Sequence, residues 1–291
     1  MDRRIEESEL IINKDGSVFH LHLKPGEIAD NIILVGDPGR VKTVASFFDD
    51  VELEHSNREF VSITGKYKGQ RMSVVATGIG TDNIDIVVNE LDALVNVDFK
   101  SRTVNKELKK LNLVRIGTSG SLQKDLPVDS CLLSDKAIGF DGLLNFYAGR
   151  NEVVDIAFEE SFRKELDWNP LLTAPYVVDA SDELIKKLSV NGFNQGVTIS
   201  APGFYGPQGR VIRLGIQDED INEKISKFKH EQHRITNYEM ECSAIYGLSK
   251  LLGHNAACVC AIIANRKAGE YSKDYKPVIK DLIKKVLDSL V

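Results

Sequence analysis

The stretch Ile32-Ile33-Leu34-Val35-Gly36-Asp37-Pro38-Gly39-Arg40 decides the fold class. Its consecutive apolar residues read as a buried strand, closed by a turn rich in glycine and proline. Val41, Val44, Ala45 and Phe48 then follow at helical spacing. Strand, glycine turn and helix form the repeating unit of sheets covered by helices on both faces.

The unit recurs along the chain. Met72 to Thr77 predicts a second strand, followed by Gly78-Ile79-Gly80 and a helix over Asn83–Val95 that carries Ile84, Val87, Val88, Leu91 and Leu94 on one side. Leu113 to Ile116 predicts a third strand, running into Gly117-Thr118-Ser119-Gly120. Further strands are expected at Cys131–Ala137, Gly196–Ala201 and Ala256–Ala264. Further helices are expected at Asp155–Leu166, from Ile221 to Phe228, near Met240–Leu252, and from about Val278 to the end. The expected architecture is α/β, with a central mixed, largely parallel sheet or distorted barrel flanked by helices. No linker rich in Pro, Gly or Ser divides the chain, so residues 1–291 read as one domain, with 1–17 as an N-terminal extension. In such sheets ligands collect beyond the carboxyl ends of strands, where these glycine turns lie.

Composition excludes several classes. The chain has 291 residues, of which 42% are hydrophobic and 27% charged, ordinary for a globular protein and unlike a disordered one. A net charge of −6 builds no basic face, so no nucleic-acid partner is expected. The start MDRRIEESEL reads as too charged for a signal peptide, so none is expected, and no apolar run reaches the length of a membrane span. Cys131, Cys242, Cys258 and Cys260 show neither a paired framework nor a zinc spacing, which fits a reducing, cytoplasmic setting. His230 and His233 read as the solvated face of a polar helix.

Four short constellations carry chemistry. Gly36-Asp37-Pro38-Gly39-Arg40 pairs close backbone approach with free helix N–H groups and a cation, which suits an anion, although a plain turn with a surface arginine has the same sequence. Arg115 interrupts an apolar strand, so it needs a partner, either a bound anion or an internal carboxylate. Glu239-Met240-Glu241 opens a helix, where acidic residues serve the helix dipole or hold sugar hydroxyls. Gln208-Gly209-Arg210 lies beside Phe204 and Tyr205, a set able to read the edge and face of a planar base. There is no Ser/His/Asp signature, no Walker loop, and no Gly-x-Gly-x-x-Gly, because Asn83 stands where the third glycine would.

Taken in order, these pieces resemble the nucleoside phosphorylases of the type that includes uridine phosphorylase and the hexameric purine nucleoside phosphorylases. Phe19-His20-Leu21, Arg58-Glu59-Phe60, Thr77-Gly78-Ile79-Gly80, Arg115-Ile116-Gly117-Thr118 and Asn265-Arg266 complete the series, from about Phe19 to the C-terminus. The resemblance implies a phosphate site of Gly36, Arg40, Arg115 and Thr118, with Arg58 reaching in from a neighbouring subunit. It implies ribose contacts from Thr118, Met240 and Glu241, with His20 crossing the same interface. It implies a base pocket of Phe204, Gln208, Arg210 and Arg266, with Arg40, Arg115, Arg210 and Glu241 carrying the catalysis. Purine enzymes of this type carry a Ser-Asp pair where this chain reads Asn265-Arg266, so the resemblance points to uridine, cleaved by phosphate to uracil and ribose 1-phosphate. A purine or broad-specificity phosphorylase, or a nucleosidase using water, are the alternatives. No metal or organic cofactor is implied, since inorganic phosphate is a co-substrate. The structural cation of some bacterial relatives is not expected, because Asn83 stands at its serine position. The minimal unit implied is a homodimer, compatible with a hexamer built as a trimer of dimers. The stretch Asn96–Asn112 is longer than in typical bacterial enzymes and resembles the animal ones.

Overall fold

The computed structural model describes residues 3–291. Its elements run in the order β1 (Asn31–Val35), α1 (Pro38–Ala45), β2 (Asp50–Asn57), β3 (Phe60–Tyr67), β4 (Gln70–Ala76), α2 (Thr81–Asn96), β5 (Val97–Asp98), β6 (Thr103–Val104), β7 (Asn112–Ser121), β8 (Cys131–Gly139), α3 (Arg150–Val153) and α4 (Ile156–Glu165). Then come β9 (Tyr176–Asp179), α5 (Asp182–Ser189), β10 (Asn194–Ser200), α6 (Ile221–Lys227), β11 (Lys229–His230), β12 (His233–Glu239), α7 (Cys242–Leu252), β13 (Asn255–Asn265), β14 (Glu270–Tyr271) and α8 (Lys276–Ser289). No helix of the described residues is long and apolar enough to cross a membrane.

Local chemistry explains the helix starts. Asp37 caps α1 by accepting from the Gly39 N–H at 2.9 Å, and Pro38 supplies a first-turn residue with no N–H to satisfy. In α2 the buried Ile84, Val87, Val88, Leu91 and Leu94 keep the helical period read from the sequence. That face packs with α7 over one side of the sheet. Residues of α1, α5 and α8 cover the other.

The expected distorted barrel is present. β12, β10, β8, β13 and β7 neighbour one another in that order, and β12 pairs back onto β7, closing a ring of five strands. From β7 the sheet continues outward through β1, β4, β3 and β2. The pairings β4–β1–β7–β13 are parallel, as are β8–β10–β12. The two sets meet antiparallel twice. β13 meets the beginning of β8, and the ends of β12 and β7 cross at Tyr238↔Gly120 and Asn237↔Ser121. Register shifts in β10 and β13 supply the bends that closure requires. The carboxyl ends of β1, β4, β7 and β12 therefore converge on one region.

Three expectations are corrected. Gly117-Thr118-Ser119-Gly120 is not a turn beyond the third strand: it pairs with β13 and lies within β7, which runs to Ser121. His230 and His233 do not lie on a helix. They face each other across the tight β11–β12 hairpin, and His233 approaches Asp135 at 3.5 Å. The last expected interior helix begins at Cys242, because Glu239 still belongs to β12. The hairpin β2–β3, the strands β9, β12 and β14 and the helix α5 go beyond the sequence expectations.

The seam where β8, β9 and β10 meet tolerates no extra atom. A Cβ on Gly139 would sit 2.3 Å from the ring of Tyr176, which is fully buried and bonded to Asp141 and Ser243. Gly139→Ala is expected to cost about 1–3 kcal/mol through overpacking. A lowered urea midpoint at unchanged slope checks this.

Candidate active site

A cleft of about 690 Å³ opens where the strand ends converge. It is lined by Gly36, Arg40, Arg115, Thr118, Phe204, Gln208, Arg210, Met240 and Glu241, which bring together all but three of the expected site residues.

At one end the backbone of the first glycine turn meets two guanidinium groups. A Cβ on Gly36 would lie 3.8 Å from Arg115 Nη1 and 3.3 Å from the Gly78 carbonyl, so the turn and the arginine are in close approach. Arg115 is 5% exposed. Its Nε donates to Glu239 at 3.1 Å and its Nη2 to Glu241. Internal carboxylates thus satisfy much of its charge, but Nη1 is buried without a partner. Burial works against the Arg115 charge, yet Glu241 and Glu239 outweigh it and hold the group firmly protonated. Arg40 donates to the Ile116 carbonyl at 3.1 Å and pairs with no carboxylate among the described residues. Burial, and then repulsion from Arg115, draw its pKa below the usual arginine value. Two cations pressed together, one with an idle buried N–H, are arranged to receive an oxyanion.

Glu239 and Glu241 are structural as well as chemical. Glu239 accepts from the backbone N–H of Glu241 at 2.9 Å and of Cys242 at 2.9 Å, which caps α7. Glu241 Oε1 accepts from Gly80 N–H at 2.8 Å, at the head of α2. Burial raises the Glu241 carboxyl from 4.5 to about 7, against the opposing pull of Arg115. Its oxygens keep lone pairs free for hydroxyl donors.

The other end is built on the loop that follows β10. Arg210 stacks over Phe204 at 3.8 Å and donates to the Phe204 carbonyl and to Gln208 Oε1, each at 2.5 Å. Arg266 Nη2 donates to the same Oε1 at 3.0 Å, and its Nη1 to the Gln208 carbonyl. Both acceptor sites of the Gln208 amide oxygen are filled, which leaves its NH₂ as the end free for a ligand. Burial, then Arg210, lower Arg266 to about 10. Arg266 stacks on Tyr238, whose buried hydroxyl has no partner. Asn265 is committed elsewhere: its side chain donates to the carbonyls of Gln123 and Leu126, both at 2.9 Å.

His20, Arg58 and Arg266 do not line the cleft. Arg266 touches it through Gln208 and Tyr238, which do line it. Arg58 is exposed and stacks on Phe19, while the half-buried His20 bonds Glu90 at 2.7 Å. Ile79, Ser119, Tyr238, Ile263, Ala264 and Tyr271 also line the cleft but had no expected role. Tyr238 adjoins the Glu239-Met240-Glu241 motif, a signal that recognising β12 as a strand would expose. A second polar cleft of about 560 Å³ lies between α5 and β8. Its charges satisfy one another, as in Lys136 with Asp155 and Asp179, so it lacks the uncompensated cations of the first. Among the described residues no cluster of His, Cys, Asp and Glu is arranged to hold a metal.

Comparison with known proteins places this geometry. The family model described as the phosphorylase superfamily matches residues 30–290. A uridine phosphorylase of Thermococcus kodakarensis is 30% identical over 260 residues, covering 89% of this chain and 82% of its own. A DeoD-type purine nucleoside phosphorylase of Listeria monocytogenes is 29% identical over 275 residues, covering 94% and 98%. The crystal structure of a Trypanosoma brucei nucleoside phosphorylase, described as showing uridine phosphorylase activity, superposes with a TM-score of 0.88 at 28% identity, covering 97% of this chain and 99% of its own.

The Glu241 carboxyl has a folded pKa above its unfolded value, so the folded state binds the proton more tightly. Its contribution to stability is complete below pH 4.5 and is lost as pH rises towards about 7. In phosphate-free buffer, Glu241→Gln should therefore gain stability relative to wild type across that window, on the order of 1–3 kcal/mol. Urea unfolding of both proteins at stepped pH checks the sign.

Proposed function

Since the chain belongs to the phosphorylase superfamily and is a nucleoside phosphorylase, a pentosyltransferase, we propose that its nucleoside is uridine, cleaved reversibly by inorganic phosphate to uracil and ribose 1-phosphate. The observation that carries this reading is the Gln208 amide, whose oxygen is pinned by Arg210 and Arg266 so that its NH₂ faces the substrate as a donor. Uracil offers carbonyl acceptors to such a group. A purine leaving group calls for a proton donor instead. The residues lining this end of the cleft, Phe204, Gln208, Arg210, Tyr238, Ile263, Ala264 and Tyr271, include no carboxyl.

Each part of the cleft then has a role. Phosphate sits between Arg40, the idle Nη1 of Arg115 and the Gly36 turn, with Thr118 adding a hydroxyl. Glu241 and Met240 hold the ribose. A phosphate oxygen forms a bond to C1′ as the C1′–N1 bond breaks. The electron pair leaves with the base as a uracil anion, which takes a proton from solvent. Phosphate is a weak nucleophile, so placement contributes more than activation. Arg210 and the Gln208 NH₂ meet charge that exists only as the bond breaks, which makes their interaction differential. Arg58 and His20, outside the cleft of one chain, are supplied in this reading by the partner in a homodimer.

The test is a panel of uridine, thymidine, cytidine and inosine, with and without phosphate. Uridine should be the preferred substrate, with no uracil released when phosphate is omitted. Faster cleavage of inosine overturns the base assignment, and turnover in water overturns phosphorolysis. Arg210→Met should lower kcat for uridine about a hundred- to a thousandfold. Arg40→Met should act mainly on the KM for phosphate.

A further inference from the structure

We propose that Asn222, near the start of α6, is a positioning residue for base recognition, acting by holding the Gln208–Gly209 backbone. The inference rests on the uridine reading above. The base-facing loop has little structure of its own. It contains a single short helical turn over Gly206–Gln208, closed by Gly209 N–H to the Gly206 carbonyl at 2.8 Å and Arg210 N–H to the Tyr205 carbonyl at 2.9 Å. A side chain carried on such a segment is placed only as well as the ties that reach it from outside.

Two residues outside the loop supply those ties. Arg266 reaches the Gln208 side chain and carbonyl from the end of β13. Asn222 Nδ2 reaches the carbonyls of Gln208 at 3.2 Å and Gly209 at 3.4 Å. Because both partners are acceptors, the NH₂ of Asn222 must face the loop. Its Oδ1 is buried and has no partner. The loop is shaped to admit this amide. Gly209 has φ +69°, and a Cβ there would lie 2.3 Å from Asn222 Nδ2. A neutral donor also suits the place, since Arg210 and Arg266 already repel each other there and a third cation would add to that cost. The helix carrying Asn222 is well anchored: Ile225 and Phe228 are buried, and Ile221 packs against the same apolar cluster as Phe158 and Phe162. Asn222 thereby transmits the rigidity of that core to the Gln208 amide. It touches neither the Arg40–Arg115 end nor the ribose residues.

The experiment compares the full-length Asn222→Asp and Asn222→His variants with wild type. Uridine is varied at saturating phosphate, phosphate is varied at saturating uridine, and urea unfolding is measured alongside. Asp keeps the shape but turns an oxygen towards two carbonyls. His restores an N–H at a similar reach. Asn222→Asp should lower kcat/KM for uridine about tenfold or more. The KM for phosphate should stay within about twofold of wild type, and Asn222→His should recover part of the loss. Unchanged uridine kinetics in Asn222→Asp overturn the proposal. So does a joint rise of both KM values with a lowered urea midpoint, which is the mark of a merely structural residue. Should wild type cleave inosine and not uridine, the uridine reading fails on its own. The same variants are then judged by the same split on inosine.

Discussion

The buried ion cluster of Arg115, Glu239 and Glu241 is the constraint on which the rest of the site depends. One guanidinium on β7 joins the end of β12, the cap of α7 and, through Glu241, the Gly80 N–H at the head of α2. Burying three charges carries a desolvation cost that mutual attraction repays only when the geometry is good and the remaining lone pairs are bonded. Here Glu239 meets that condition, accepting from Arg115, from two backbone N–H groups and from the Ser200 hydroxyl. Glu241 meets it less fully, and burial accordingly raises its carboxyl to about 7. The least satisfied members, Glu241 and Arg115 Nη1, belong to residues that line the cleft, where a ligand can complete them.

The same logic separates charge that holds the fold from charge that serves chemistry. Arg150 with Glu159 and Lys136 with Asp155 and Asp179 are compensated within the chain. Arg40, Arg210 and Arg266 are partly buried, pair with no carboxylate among the described residues, and are all drawn below the usual arginine value, by burial first. Three such groups, two lining the cleft and Arg266 behind Gln208, cost stability when no anion is bound. That cost is the ordinary counterpart of a site preorganised for anionic substrates and leaving groups.

How much of this was legible follows from where hydrophobic patterning and burial coincide. β1 and β4 are apolar runs ending in glycine turns, so these strands and the residues just beyond them are legible; the apolar runs of β7 and β13 are legible too, but Gly117-Thr118-Ser119-Gly120 continues β7 to Ser121 instead of turning away from it. β12 was not legible, because His233–Glu239 is buried and yet polar. Asn237 donates to Ser119 and accepts from Thr198 and Thr236, so hydrogen bonds replace apolar contacts there. β2 escaped for the opposite reason: Asp50–Asn57 is an outermost strand with little burial, and its charged residues suit an edge. Arg115 was recognised as a charge needing a partner, but a linear pattern could not show that carboxylates more than a hundred residues away fill two of its positions and leave the third. Asn222 carried no signal at all, since its role depends on the left-handed turn at Gly209.

The two ends of the cleft are built on different kinds of structure. The anion end uses strand termini and helix caps locked by the central ion cluster, so its geometry cannot vary without disturbing the barrel. The base end uses a loop held by Arg266 and Asn222, and a few residues there decide which groups face the base. In the proposed reading, fold and chemistry are carried by the first and specificity by the second. Overall identity is near-equal to a uridine phosphorylase at 30% and a purine nucleoside phosphorylase at 29%, so it does not separate the two. In the uridine reading proposed above, the discriminating groups are Gln208, Arg210 and Arg266, by their charge and hydrogen-bonding sense. Specificity within this architecture is therefore better argued from the free valences of those side chains than from overall likeness.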